Sequence, residues 1–318
     1  MTIVFQLQLV SQQSNTPWAP AVSAVIPTYQ REQILLDTIH HLIRLEVPPA
    51  EIVIVDQTPK HEPATEGDLT QLASQGKIRW LRIAHPSIPH AMNVGLEQAR
   101  FEIVLFLDDD IIPDPNLIAA HARAHETGSK IVAGQVLQPG EDPVPDSSET
   151  SLFQFRSSLR QYISEPMGCN FSVKRTLALR IGGFDENFVH VAYRYEAEFG
   201  SRALAAGERI LFEPAASIRH LKASKGGTRA YGEHLTTIRP SHSVGAYYYF
   251  IRSKSVPRRL ASILLRPLRA VRTRHHLLHP WWILPTLTAE FLGFAWAVFL
   301  ALRGPRLLVG NEGPIERP

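Results

Sequence analysis

The sequence predicts an α/β fold built on a mainly parallel sheet, and three observations lead to that class. From Ala21 onward, short β-rich apolar runs alternate with amphipathic stretches of helical character, the signature of βαβ units. Three polar clusters, Pro27-Thr28, Asp56-Gln57 and Asp108-Asp109-Asp110, close three of those runs. The chain has 318 residues, 44% of them hydrophobic, which is enough to bury a full core.

The elements follow in order. VSAVIP reads as the first strand, a helix follows around Leu35 to Leu45, EIVIVD is the second strand and KIRWLRI the third. A helix from Ala91 to Ala99 precedes the strand EIVLFLD. Parallel sheets place ligands beyond the carboxyl ends of their strands, so the three polar clusters should converge on one edge. QPGEDPVPDSSET, from Gln138 to Thr150, has no periodicity and reads as an exposed loop, passive rather than an active-site flap. Further on, GGFDENF leads into a helix from Tyr195 to Ala206, and RILFEP is a strand.

LFLDDDIIP packs three carboxylates against the end of an apolar run. Side chains alternate in direction along a strand, so Asp108 and Asp110 point one way and Asp109 another. Two hard oxygen ligands on one side, with room for water and a phosphate, suit Mg²⁺ or Mn²⁺. A helix-capping cluster is the plainer alternative, but the hydrophobic strand ahead and the two other polar strand ends favour the cation. Cys169 is the only cysteine, which excludes an internal disulfide and a multi-cysteine zinc site.

Eight strings carry a family resemblance: AVIPTYQRE, IVIVDQTP, AMNVGLEQAR, LFLDDDIIP, GCNFSVKR, GGFDENF, YEAEFGSR and the later His220. Their order and rough spacing resemble those of family 2 glycosyltransferases from Val22 to about Lys222. The resemblance implies a GT-A fold, Rossmann-like with helices flanking a mainly parallel sheet, over residues 21–240. It also implies a nucleotide-diphospho-sugar donor and inversion at the anomeric carbon. Pro27, Thr28, Tyr29 and Arg31 would hold the nucleotide, together with Asp56, Asn93, Asp108 and Asp109. Gln57 stands where many relatives carry a second Asp, which leaves the base open. Asp110 and Asp108 match the metal-binding DXD motif, with His220 as a third ligand or a plain surface residue. Glu196, at a helix start, matches the general base, and Asp185 and Glu198 are its rivals. The plainer reading of Glu196 is an acid favoured by the helix dipole.

Smaller signals complete the site. Gly168, Cys169 and Asn170 resemble the family's loop beneath the acceptor, and nothing around Cys169 suggests a nucleophile. Arg202 pairs with a carboxylate or a phosphate. Gly226-Gly227-Thr228-Arg229, after Lys222 and Lys225, reads as a mobile strip over the diphosphate or an ordinary loop. The Gln-x-x-Arg-Trp motif and several membrane helices of processive synthases are missing, so one sugar is expected per encounter.

The remaining residues divide into an extension, 1–20, without the features of a secretory signal, and a region, 241–318, of different character. The formal net charge is only +3, yet no Asp or Glu lies between Glu233 and Glu290. Eight Arg or Lys residues interleave with Leu, Ile and Val between Arg252 and Arg274, as in a basic amphipathic helix broken near Pro267. The apolar partners argue against nucleic acid and for an anionic membrane surface. PWWILPTLTAEFLGFAWAVFLAL, Pro280 to Leu302, is long enough to span a bilayer, but Glu290 costs roughly 2.5–3.5 kcal/mol at a helix centre. A monotopic or re-entrant attachment at the cytoplasmic face is therefore preferred over a span, and a run packed on the catalytic domain is the third reading. Together these features describe a membrane-associated enzyme acting on a glycan or lipid-linked acceptor, in cell-envelope polysaccharide biosynthesis. A catalytically silent sugar-nucleotide or membrane scaffold with the same fold is the alternative. A nucleotidyltransferase is disfavoured because PTYQRE lacks a glycine-rich phosphate loop.

Overall fold

The computed structural model describes residues 21–145, 153–252 and 256–308; the extension 1–20 and residues 146–150 of the predicted loop lie outside them. The strands are β1 (Val22–Thr28), β2 (Glu51–Asp56), β3 (Arg79–Arg82), β4 (Ile103–Leu107) and β5 (Ile111–Pro113), then β6 (Ile131–Leu137), β7 (Gln161–Ile163), β8 (Asn170–Lys174) and β9 (Ile210–His220). Helices α1 (Gln33–Ile43), α2 (Pro63–Ser74), α3 (Ile88–Gln98), α4 (Leu117–Glu126), α5 (Arg175–Arg180) and α6 (Tyr195–Ala205) flank them. The chain continues through α7 (Val244–Arg252), α8 (Val256–Val271), α9 (Arg274–Leu278) and α10 (Ile283–Arg303).

All strands join one sheet in the order β3-β2-β1-β4-β8-β6-β9-β5, with β7 also on β9. The half formed by β3, β2, β1 and β4 is parallel, as the sequence predicts. Beyond β4 the sheet is mixed, because β8 inserts antiparallel between β4 and β6. Period-2 alternation sends Val22, Ala24 and Ile26 to one face and Val25 to the other, and each face has its own core. Every residue of β4 is buried, which is why its sequence shows no polar interruption.

Two elements depart from the sequence reading. The strand read as RILFEP continues to His220, because a register shift against β6 absorbs Pro214, which has no N–H to give the ladder. Gly134 pairs with Glu213, whereas the next residue, Gln135, pairs with Ser217. The second departure is α8, which runs unbroken through Pro267. A proline inside a helix costs about 3 kcal/mol, and packing of α8 on α7 and α10 holds the axis despite it.

Candidate active site

A cavity of about 360 Å³ lies where the carboxyl ends of β1 and β4 meet α6 and the end of β9. Its wall includes Pro27, Thr28, Tyr29 and Arg31 from the end of β1, the whole Asp108–Asp110 triplet, Glu196 and His220. Residues up to 193 positions apart thus share one space for the topological reason the sequence gives, since the strand ends lie side by side.

The triplet divides its labour as the alternation predicts. Asp109 turns inward, accepting a hydrogen bond from Thr28 Oγ1 at 2.6 Å and pairing with Arg31 Nε at 3.2 Å. Burial still pushes its carboxyl up to about 7, against the pull of Arg31. Asp108 and Asp110 instead converge on His220, whose Nε2 lies 3.5 Å from the first and 3.2 Å from the second. The antiparallel register of β5 on β9, with Ile111 opposite His220, delivers the imidazole to this spot. His220 Nδ1 bonds Gln138 Oε1 at 3.1 Å, which fixes the ring and leaves Nε2 facing the carboxylates. Burial opposes ionisation of Asp110, but the His220 hydrogen bond and charge, the Ala223 N–H at 2.7 Å and Arg31 outweigh it, and its carboxyl is held below the usual range. Burial likewise opposes the His220 cation, yet the two carboxylates raise its pKa.

Ligand atoms of Asp108, Asp110 and His220 lie within 4.8 Å of one another. Two carboxylate oxygens and one imidazole nitrogen, open on the cavity side, fit a divalent cation that also takes oxygen ligands from a substrate.

Glu196 occupies the first turn of α6. One of its carboxylate oxygens is buried without a hydrogen-bond partner among the described residues. Burial, only partly offset by its own backbone hydrogen bond and by Arg194, pushes the carboxyl up to about 7. Aromatic packing fixes the helix beneath it: the Phe184 and Phe199 rings stack at 4.7 Å, and Phe184 meets Phe106 of β4 edge-on at 5.2 Å. The entry into α6 is strained. His190, Ala192 and Arg194 all adopt positive φ, at 59°, 53° and 77°, and such non-glycine clusters mark functional loops. Arg194 is held there by Glu165 at 2.7 Å.

The rivals of Glu196 lie outside the cavity wall. Glu198 accepts Arg202 Nε with both oxygens at 2.9 Å, and Arg202 spends its other nitrogens on the carbonyls of Ile181 and Gly183. Arg202 is therefore a structural clamp. Asp185 is buried and accepts from Tyr248 Oη at 2.7 Å and from the Arg306 N–H at 2.9 Å.

Asp56 and Asn93 also fall outside the wall. The Asp56 carboxylate is taken by His61 Nε2 at 2.8 Å, Trp80 Nε1 at 2.9 Å and the Thr58 N–H, while its neighbour Gln57 lines the cavity. Asn93 braces α3 against the GGFDE turn, exchanging hydrogen bonds with the N–H and carbonyl of Phe184. Asn170 is consumed inside the sheet by Gln135, Ala216 and His121. Burial, then the nearby carboxylates, push the Cys169 thiol far up, which agrees with the absence of a nucleophile there. Gly168 lies against Tyr195, whose hydroxyl stands 2.1 Å from where a Cβ would be.

The glycine strip forms a short 3₁₀ turn, Gly227–Tyr231, on the cavity wall. Gly227 donates to Tyr29 O at 2.7 Å, and Gly226, at φ 73° and ψ −172°, abuts the Gln30 carbonyl. Sequence reasoning missed His190, Tyr193 and Tyr231, which also line the cavity. The His190 and Tyr231 rings stack at 5.1 Å, although no periodicity or motif marks either residue.

A family model described as "Glycosyl transferase family 2" matches residues 23–182. A curated protein of Bacillus subtilis (strain 168), named "Probable glycosyltransferase YdaM", is 21% identical over 231 residues, which is 67% of this chain and 54% of the relative. The chain thus spans about half the length of that relative. Among solved structures, mannosyltransferase PcManGT from Pyrobaculum calidifontis, in complex with GDP-Man and Mn²⁺, superposes at a TM-score of 0.54 with 19% identity, covering 90% of this chain and 80% of its own. GalNAc-T7 with UDP, GalNAc and Mn²⁺ gives 0.54 and 15%, over 64% and 44%. S. aureus TarS gives 0.51 and 16%, over 85% and 55%. At these identities the likeness is one of fold.

Proposed function

The chain belongs to glycosyl transferase family 2, and from that premise we propose an inverting, cation-dependent transfer of one sugar from a nucleoside-diphospho-sugar to an acceptor hydroxyl. The observation that carries the reading is one cavity holding both an Asp-Asp-His ligand set and a carboxylate raised to about 7 with a free buried oxygen. PcManGT and GalNAc-T7 were crystallised with nucleotide or nucleotide-sugar and Mn²⁺, which supports the same donor class and a Mg²⁺ or Mn²⁺ ion here.

The residues divide the work by charge. Thr28, Tyr29, Gln57 and Arg31 receive the nucleotide, with Arg31 already anchored by Asp109. Asp108, Asp110 and His220 would hold the cation, which when bound neutralises charge on the diphosphate as it leaves. Glu196 accepts the proton of the acceptor hydroxyl as its oxygen bonds to the anomeric carbon and the carbon–diphosphate bond breaks. A base with pKa near 7 is half ionised at neutral pH, where a surface carboxyl would hold the proton too weakly to be an efficient acceptor. Lys222 and the Gly227–Tyr231 turn close the diphosphate side.

The acceptor is a glycan or lipid-linked glycan at the cytoplasmic face of the membrane. What supports this is the distribution of apolar surface on the last helices. α10 is long and apolar enough to cross a membrane, but Thr286, Ala289, Glu290, Gly293, Ala297 and Leu300 form a buried stripe along one side. Glu290 is neutralised by Arg266 at 2.9 Å. Leu284, Phe291 and Leu302 remain exposed, which suits a helix lying in the interface. The test is sugar transfer by full-length protein with Mn²⁺. Asp110→Ala and Glu196→Gln are each expected to lower turnover at least a hundredfold with the fold intact. Undiminished transfer by either variant would refute the assignment.

A further inference from the structure

A second cavity, of about 490 Å³, opens between α8, α10 and the segment that precedes α7. Tyr193, half exposed just ahead of α6, lines both this cavity and the catalytic one. The two spaces therefore share a rim at the loop that leads into α6, where Glu196 occupies the first turn.

The lining of the second cavity is cationic. Arg239, Arg266 and Arg269 contribute to it, with His234 and His242, against Glu290 as the sole acid. Glu290 is spent on Arg266. Arg239 and Arg269 are exposed and have no carboxylate within ion-pair distance among the described residues, in a stretch where the sequence has no acid from 234 to 289. Two guanidiniums facing a cavity without counter-charge form a ready site for a phosphate, which each can grip with two parallel hydrogen bonds.

The surroundings specify what carries that phosphate. Ser262, Arg266 and Arg269 mark the cavity side of α8, with Thr273 just beyond it, while Leu260, Leu264 and Leu268 form an exposed stripe on another side. Leu277, Leu278, Trp281 and Leu284 extend exposed apolar surface along the chain that follows. A bilayer that takes up the leucine stripe leaves the arginines of the same helix at headgroup height. A soluble phosphate would need the guanidiniums but not this frame.

We propose that the second cavity binds the phosphate or diphosphate headgroup of a long-chain lipid acceptor, presenting the acceptor hydroxyl past Tyr193 to Glu196. This rests on the transferase reading above, narrows the acceptor to a lipid phosphate and adds its binding site.

The test measures co-sedimentation of the full chain with phosphatidylcholine vesicles, either plain, doped with a polyprenyl phosphate, or doped with phosphatidylglycerol at equal charge. Binding to the polyprenyl phosphate vesicles is expected to be at least tenfold tighter than to the other two. The double substitution Arg239→Ala/Arg269→Ala is expected to remove that preference. Equal binding to both anionic vesicles would reduce the site to general membrane attraction, and an unchanged preference in the double variant would place the site elsewhere. Either result overturns the proposal, as would full competition by inorganic pyrophosphate at concentrations equal to the lipid phosphate, which would mark a soluble ligand. Calorimetric binding of UDP- and GDP-sugars with Mn²⁺ on the same preparations separates the two levels. Donor binding without lipid selectivity defeats only this inference, whereas failure of all donor binding defeats the transferase reading beneath it.

Discussion

At the scale of single residues, the catalytic proposal rests on one carboxyl whose proton affinity is set by burial. Burial pushes the Glu196 carboxyl up to about 7, so the ionised base accumulates as pH rises through that value. The expected profile of kcat/KM climbs from pH 6 to 8 with an inflection near 7, read from initial rates. The same shift has a stability consequence. A carboxyl whose folded pKa is raised favours folding below its unfolded value near 4.5, and that contribution is lost as pH rises toward 7. Glu196→Gln should therefore raise the thermal midpoint at pH 8, by up to about 3 kcal/mol in stability, and have little effect at pH 4. A variant that melts below wild type at pH 8 would show that the glutamate is structural. Much of this site was legible in the sequence. The Asp triplet and its alternation are local facts of one strand end, and Glu196 sits at a helix start that the pattern of YEAEFGSR reveals. His220 was named from the family spacing as a third ligand or a surface residue, and the strand register, which no local string carries, decides between them by setting it beside Asp108 and Asp110. Asp56 and Asn93 share the family spacing yet turn to protein partners, which no string of letters discloses.

At the scale of elements, the sheet positions the site and the turns close it. The parallel half was readable because β1, β2 and β4 are buried, mainly apolar runs, whereas the partly buried β3 carries Arg79 and Arg82. The extension of β9 was not, since Pro214 reads as a stop and only the register shift against β6 lets the strand continue. Pro267 misleads in the same way, because tertiary packing overrides the local cost. The Gly226 turn makes a sharp test of how the phosphate side is held. Its backbone conformation belongs to a region that is essentially glycine's alone, and a Cβ would stand 2.2 Å from the Gln30 carbonyl. Gly226→Ala is expected to cost about 1–3 kcal/mol in chemical denaturation. It should also weaken nucleotide binding by displacing Tyr29. Wild-type stability and affinity in this variant would show that the turn is not docked as described.

At the scale of the whole molecule, the residues that read as a membrane tail are continuous with the enzyme. Tyr247 and Tyr248 of α7 and Ala297 and Leu300 of α10 enter the same core as Phe106, Phe171 and Phe199. Beyond α10 the chain returns to the GGFDE turn, where Leu308 N–H donates to the Gly182 carbonyl at 2.9 Å and Arg306 N–H to Asp185. Charge and hydropathy pointed to a membrane surface, with packing on the catalytic domain as the third reading; the inner stripe of α10 makes that packing, and no motif marks the return of residues 306–308. One molecule thus joins two cavities that share Tyr193 and a surface of exposed apolar side chains on its last helices. The central claim is that Asp108, Asp110 and His220 hold the cation that accompanies the donor, and electron paramagnetic resonance of Mn²⁺ with a nucleoside-diphospho-sugar tests it most directly. The account predicts Mn²⁺ bound by wild type in the presence of donor and at least tenfold weaker in Asp110→Asn. Equal Mn²⁺ binding by the two proteins would contradict it.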